Sequence, residues 1–147
     1  MSIRVFLEAL DHHDEDLAAE QVGGGFAVDS PGHYPLGFRD FWRSQLALWE
    51  AFPDLWNHAH DIHEGFAAGS AIIQLTGTFV RDLDMPWHEF PLIQATGERI
   101  VLPPERLEFT LEYGEILSIR NVSPDGVGLL GILAVEGITL PPPGIMG

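Results

Sequence analysis

Three groups of residues have types and spacings that could do chemistry. The first is the run Asn57-His58-Ala59-His60-Asp61-Ile62-His63. Histidine titrates near neutrality, so His60 or His63 could act as a general base, with Asp61 alongside. On an extended strand His58 and His60 share one face and Asp61 points to the other. His-x-His on a strand is also a metal-ligand spacing, which would need a further ligand such as Glu64 or His88. A solvent-facing or partner-facing strand explains the same histidines without a metal.

The second group spans residues 105–121. Leu107, Phe109 and Leu111 alternate with Glu108 and Thr110, and Leu117 and Ile119 alternate with Ser118 and Arg120. Period two puts Leu107, Phe109, Leu117, Ile119 and Asn121 on one face of a hairpin. A three-residue turn at Glu112-Tyr113-Gly114 would set Phe109 against Leu117, Leu107 against Ile119 and Glu105 against Asn121. Glu108 and Arg120 then face outward. An inward Glu105 in apolar surroundings would have a raised pKa and could exchange protons with a ligand. Asn121 can polarise an oxyanion but cannot itself exchange protons near neutral pH. Pro103-Pro104, just ahead, is the feature that could turn Glu105 outward instead.

The third group is aromatic. Phe38, Phe41, Trp42, Gln45, Trp49 and Phe52 recur every three or four residues, so one helix face carries five rings. Such a face either packs a core or walls an apolar ligand pocket. Trp87 and His88 lie in an irregular stretch, 83–91, whose length and composition suggest a pocket rim.

These residues need a scaffold to position them. The 147 residues suit a single domain, 1–147, and 46% hydrophobic content supports a real core. Seven Lys+Arg against 22 Asp+Glu give a formal charge of −15, which argues against nucleic acid and anionic membranes as partners. The absence of cysteine excludes disulfides, thiolate metal sites and cysteine nucleophiles, and is compatible with a cytoplasmic setting. No signal-peptide core or spanning apolar stretch is present.

Residues 3–21 read as two short helices with a corner at Asp11–Asp16, Asp14 capping the second. Gly23-Gly24-Gly25 closes this region and lacks the Lys-Ser/Thr of a phosphate loop. A strand at 26–28 follows, then a helix over 37–52, stopped by Pro53. Strand patterns cover 55–62, 71–80, 98–102, 105–113 and 115–122. The tail 136–147 is extended and rich in Pro and Gly. Helices first and mostly antiparallel strands after them make an α+β layout.

The segments "AFPDL" (Ala51–Leu55), "TGTF" (Thr76–Phe79), "ATGERI" (Ala95–Ile100) and "FTLEYGEILSI" (Phe109–Ile119), after a helix-turn-helix start, occur in an order and spacing that resemble the SnoaL-like polyketide cyclases. That family belongs to the superfamily of nuclear-transport-factor and ketosteroid-isomerase cones. The resemblance implies a cystatin-like cone, with N-terminal helices on a strongly curved, mainly antiparallel sheet around a hydrophobic cavity, and a homodimer. It implies aldol-type cyclisation or isomerisation of a hydrophobic carbonyl compound without metal or cofactor. The family's acid/base aspartate falls on Asn121, and a polar partner position falls on Leu107. Expected site residues are therefore Asn121, Glu105, His60 and Asp61 for chemistry, and Phe38, Trp42, Trp49, Trp87, Leu107, Phe109 and Ile119 for ligand contact. A binding domain without catalysis and a His-based metal-assisted enzyme stand as the alternatives.

Overall fold

The computed structural model describes residues 2–29, 35–84 and 92–122. Trp87, His88, His33, Tyr34 and the 136–147 tail lie outside the described residues. Helix α1 (Ser2–Asp11) buries Ile3, Phe6, Leu7, Ala9 and Leu10, the positions its periodicity marks as apolar. A tight corner follows, with His13 in the left-handed region at φ 57°. Asp14 then caps α2 (Glu15–Glu20) by accepting from the Leu17 amide at 3.1 Å.

Strand β1 (Val22–Asp29) begins earlier than the sequence suggests, because the three glycines are part of it. Gly23 is admitted for space: a Cβ there would lie 2.9 Å from Leu117. Helix α3 (Phe38–Ala51) lays Phe41, Trp42, Leu48 and Trp49 inward. Pro53 and Asp54 form the turn after it.

The expected strand at 55–62 is shorter and later, as β2 (His60–Glu64). His58 and Asp61 both have positive φ, 48° and 49°, which interrupts the extended chain on both sides of His60. The expected strand at 71–80 splits into β3 (Ala68–Ile73) and β4 (Thr76–Thr78). Between them Gln74 turns its amide to Asn57 and its side chain to the Leu102 carbonyl. Strands β5 (Arg99–Val101), β6 (Glu105–Glu112) and β7 (Glu115–Asn121) fall where alternation places them.

The main sheet runs β1-β7-β6-β3-β2, and β4 pairs with β5 separately. Only β1 with β7 is parallel among these pairs. The fold is thus mixed α+β, with helices packed on a mostly antiparallel sheet. At one end of that packing, Gly69 leaves room for both neighbours: a Cβ there would clash with Ile3 of α1 and sit 2.6 Å from the His63 carbonyl oxygen of β2. Among the described residues no helix is long and apolar enough to cross a membrane.

Candidate active site

The hairpin of β6 and β7 carries the residues of greatest interest. Strand β6 alternates without fault: Glu105, Leu107, Phe109 and Leu111 are buried, and Arg106, Glu108, Thr110 and Glu112 are exposed. The turn has two residues, not the expected three. Tyr113 and Gly114 take φ of 51° and 77°, the double left-handed geometry that matches strand twist. Glu112 therefore pairs with Glu115 and Leu111 with Ile116. A bulge then leaves Leu117 without a partner, so Phe109 pairs with Ile119 and Leu107 with Asn121. The true register differs from the expected one by two residues. A shift of two keeps every side chain on its face, so the inward placement of Phe109, Ile119 and Asn121 stands. Leu117, on the bulge, is only half-buried, and Ile116 is fully buried beside it.

Glu105 turns inward despite Pro103-Pro104. It is 2% exposed, and its Oε1 accepts from Asn121 Nδ2 at 2.6 Å. The expected meeting of Glu105 and Asn121 occurs, but diagonally across the hairpin and not as directly opposed residues, because Asn121 sits opposite Leu107. Among the described residues Ser44, Thr76 and Glu105 are the buried polar groups, and Glu105 alone of these can ionise. Every buried side chain on α1 and α3, Ser44 apart, is apolar. A carboxyl and an amide in contact within such surroundings can give and take a proton and can hold a developing negative oxygen.

The expected contact residues fall as follows. Trp42, Trp49, Leu107, Phe109 and Ile119 are buried, and Phe38 is half-buried against Trp42 and Phe26. The rings form a connected set: Trp42 meets Trp49 edge-on at 5.1 Å, and Phe38 lies 5.8 Å from Trp42.

The histidine run resolves differently. His60 pairs with Ile72 across β2 and β3, and Ile72 pairs with Arg106 across β3 and β6. Paired residues share a face, so His60 belongs to the outward row with Arg106, away from the face that holds Glu105. Asp61 does not point opposite His60. Its positive φ brings its Oδ2 to 3.0 Å from His60 Nδ1, in an exposed pair. His58, outside the strand, instead meets the Thr76 hydroxyl through Nε2 at 2.8 Å. His58 and His60 thus have separate partners and do not form a His-x-His ligand pair. Among the described residues no group of three or more His, Asp or Glu is placed to hold a metal ion.

Sequence reasoning missed several polar links near this run. Asp11 Oδ1 accepts from both the backbone amide and the Nδ2 of Asn57, at 3.0 and 2.8 Å. Burial raises the Asp11 pKa, and the two Asn57 bonds oppose that shift. His13 stacks on Trp49 at 4.0 Å, and partial burial lowers its pKa against the pull of Asp11. Asp54 accepts from the Thr78 amide and hydroxyl at 2.7 and 2.8 Å, and the amide bond foremost lowers its pKa. The sequence separations, 46 residues for Asp11–Asn57 and 24 for Asp54–Thr78, leave no local pattern to read.

No family model matches the chain, and no curated protein matches it. Solved structures do. The chain is similar to AclR, a candidate hydroxylase from Streptomyces galilaeus, at 18% identity and TM-score 0.68, covering 92% of each chain. It is similar to a candidate SnoaL-like polyketide cyclase from Jannaschia sp. CCS1 at 19% identity and TM-score 0.67, covering 94% of this chain and 93% of that one. It is also similar to IdmH, a candidate polyketide cyclase from Streptomyces antibioticus, at 17% identity and TM-score 0.67, covering 90% and 96%. At these identities the likeness is one of fold: the chain is built on the architecture of the SnoaL-like polyketide cyclases.

Proposed function

We propose that the chain is a small-molecule enzyme of the SnoaL-like kind, acting by acid/base chemistry on a hydrophobic, carbonyl-bearing compound. The observation that carries this reading is Glu105, an ionisable group buried on the inner face in contact with Asn121. As a carboxylate, Glu105 takes a proton from the carbon next to the substrate carbonyl. The electron pair moves onto the carbonyl oxygen, which the Asn121 amide stabilises. The enolate then attacks a second carbonyl, in a cyclisation, or is reprotonated at another carbon, in an isomerisation. In either case Glu105 returns the proton. The aromatic face of α3 and the apolar residues of β6 and β7 would hold the rest of the substrate.

Printed names among the structural neighbours include both cyclases and a hydroxylase, so the architecture does not choose the reaction. A domain that only binds ligands would need no proton carrier, and the buried carboxyl favours catalysis over that reading. The first step can be tested without the natural substrate. The protein should accelerate deuterium exchange at the acidic carbons of hydrophobic ketones and diketones in heavy water, followed by NMR. Glu105→Gln, folded by circular dichroism, should lose that acceleration. No acceleration across such a panel by the native protein would remove the proposal.

We also propose that a second copy of the chain packs on the outer sheet face, where Glu108 and Arg120 are paired and exposed. A monomer in sedimentation equilibrium at micromolar concentration would refute this.

A further inference from the structure

Two hairpin turns sit side by side at one end of the main sheet. In the β2–β3 turn Phe66 is 89% exposed, and in the β6–β7 turn Tyr113 is 87% exposed. Every other exposed large hydrophobic side chain among the described residues stays at 56% or below. The turns are neighbours because β3 pairs with β6: Ala68 lies opposite Thr110, and the Leu111 amide donates to the Ala67 carbonyl. One step further along that ladder brings Phe66 beside Glu112, the residue before Tyr113. The Ser2 hydroxyl of α1 donates to the Gly114 carbonyl and ties the second turn to the helix. Glu105 opens β6 and these turns close it, roughly 23 Å away along the strand.

Three local rules are broken here together. Turns favour small polar residues, yet one of these leaves a phenylalanine in water. Tyr113 takes φ of 51°, a conformation that favours Asn, Asp or Gly and in which a bulky side chain is an outlier. Glu112 and Glu115 pair directly across the hairpin, where like charges repel. Arg4, two residues after the Ser2 anchor, forms an ion pair with neither, and among the described residues no other cation does. Core packing does not explain these choices, since all four side chains are exposed. Residues that destabilise the free chain without local return are accounted for by a complex in which they are used. Exposed rings beside carboxylates suit a cation on an apolar stem: the ring faces attract the cation and the carboxylates neutralise it. A guanidinium also stacks flat on the rings. We propose that this end of the sheet is a docking surface for an arginine-bearing segment of a partner protein. The segment lies across the two turns, with guanidinium groups against Phe66 and Tyr113 and within ion-pair reach of Glu112 and Glu115. The formal charge of −15 speeds encounter with such a partner and disfavours an anionic one. The surface stands whether or not the Glu105–Asn121 pair is catalytic.

The test uses two peptides of one shape: Gly-Arg-Gly-Arg-Gly, and the same peptide with citrulline, an uncharged near-isostere, in place of arginine. Amide NMR of the full chain follows both titrations at ~0.15 M salt, where screening reaches about 8 Å. The arginine peptide should shift the amides of 65–67 and 112–115 saturably, with a Kd below about 1 mM. It should bind at least roughly fivefold more tightly than the citrulline peptide. Phe66→Ser and Tyr113→Asn should each weaken it about fivefold, and Glu112→Gln/Glu115→Gln by a similar factor. Tyr113→Asn should at the same time raise the thermal unfolding midpoint, because it restores a residue type that the turn prefers. A fall in the midpoint would give Tyr113 a structural role and remove it from the surface. Glu50→Gln/Glu98→Gln takes the same charge from α3 and from the residue ahead of β5, and should change affinity less than about twofold. Equal binding of the two peptides, shifts confined to other parts of the chain, or an equal loss in that control pair overturns the proposal. A dimer that Phe66→Ser dissociates in sedimentation also overturns it, by assigning the turns to a second copy. Phe66-dependent binding to phosphatidylcholine vesicles overturns it in favour of a membrane.

Discussion

At the inner face of β6 and β7 a carboxyl and an amide meet at 2.6 Å, with the carboxyl 2% exposed. Around the corner after α1 and the 56–61 segment lie His12, His13, His58 and His60, with Asp11 and Asp61 among them. The corner has far more titratable groups, yet its pairs are exposed or only partly buried. His60 is held by Asp61, His58 by Thr76 and Asp11 by Asn57, and His12 and His13 lie against Trp56 and Trp49. Three of its residues, His13, His58 and Asp61, adopt positive φ and serve the shape of the chain. Catalytic promise follows from desolvation of a group that could have stayed in water, more than from the density of reactive residue types. Burying Glu105 has a cost that an apolar residue at that position would avoid. At the corner burial is partial, raising the pKa of Asp11 and lowering that of His13.

The sharpest way to break this contrast is to exchange the loss of function between the two regions. Glu105→Gln should lower proton-exchange activity by roughly 100-fold or more. The double variant His60→Ala/Asp61→Ala should stay within about threefold, since an exposed pair contributes little. Activity that follows the histidines would reverse the assignment.

Asn121→Asp probes the inner pair by stability. Two carboxyls in contact would resist joint ionisation, so this variant should be about 1–3 kcal/mol less stable than the parent at neutral pH. The deficit should shrink in acid, as the pair takes up a proton. Urea melts at several pH values would show it, and a deficit independent of pH would point to packing instead.

At the corner, Asp11→Asn removes charge but keeps an oxygen for Asn57 to donate to. The folded-state pKa of Asp11 lies above its ordinary value of 3.8, so its favourable contribution belongs to acid and is lost as pH rises through the raised value. The variant should therefore match or exceed the parent at neutral pH, by no more than about 1 kcal/mol, and converge with it in acid. A clear loss at neutral pH would mean that the charge itself holds the corner.

The smallest effect concerns His13. Its folded-state pKa lies below the ordinary 6.5, so its small stabilising part is present above that value and fades as pH falls toward the lowered one. Tryptophan emission should change over the same acid interval as His13 beside Trp49 gains its proton. His13→Ala should abolish that step, and its persistence would assign the step to another group.

Much of the fold was legible because burial and periodicity agree in it. Phe38–Ala51 and Glu105–Glu112 follow their patterns almost residue for residue. The inner pair was legible for a subtler reason: the turn is one residue shorter than expected and the bulge adds one more, so the register moved by two and parity forgave it. The corner was misread because alternation assumes an extended chain, and the positive φ at His58 and Asp61 breaks that assumption. Asp11–Asn57 and Asp54–Thr78 were invisible because tertiary contacts bring those partners together. No spacing in the sequence announces them.

The bulge at Leu117 decides more than strand pairing. Had the two-residue turn continued without it, the register would run Leu107 to Arg120, and Arg106 to Asn121. An arginine would then look inward toward Glu105, and the amide would look out to solvent. One unpaired residue thus selects which of two adjacent side chains, a permanent cation or a neutral amide, becomes the neighbour of the buried carboxyl. In this hairpin, whether the count of residues is odd or even acts as a chemical choice. Gain or loss of one residue in a strand could thus exchange the group that faces a buried carboxyl, without a substitution at either neighbouring position.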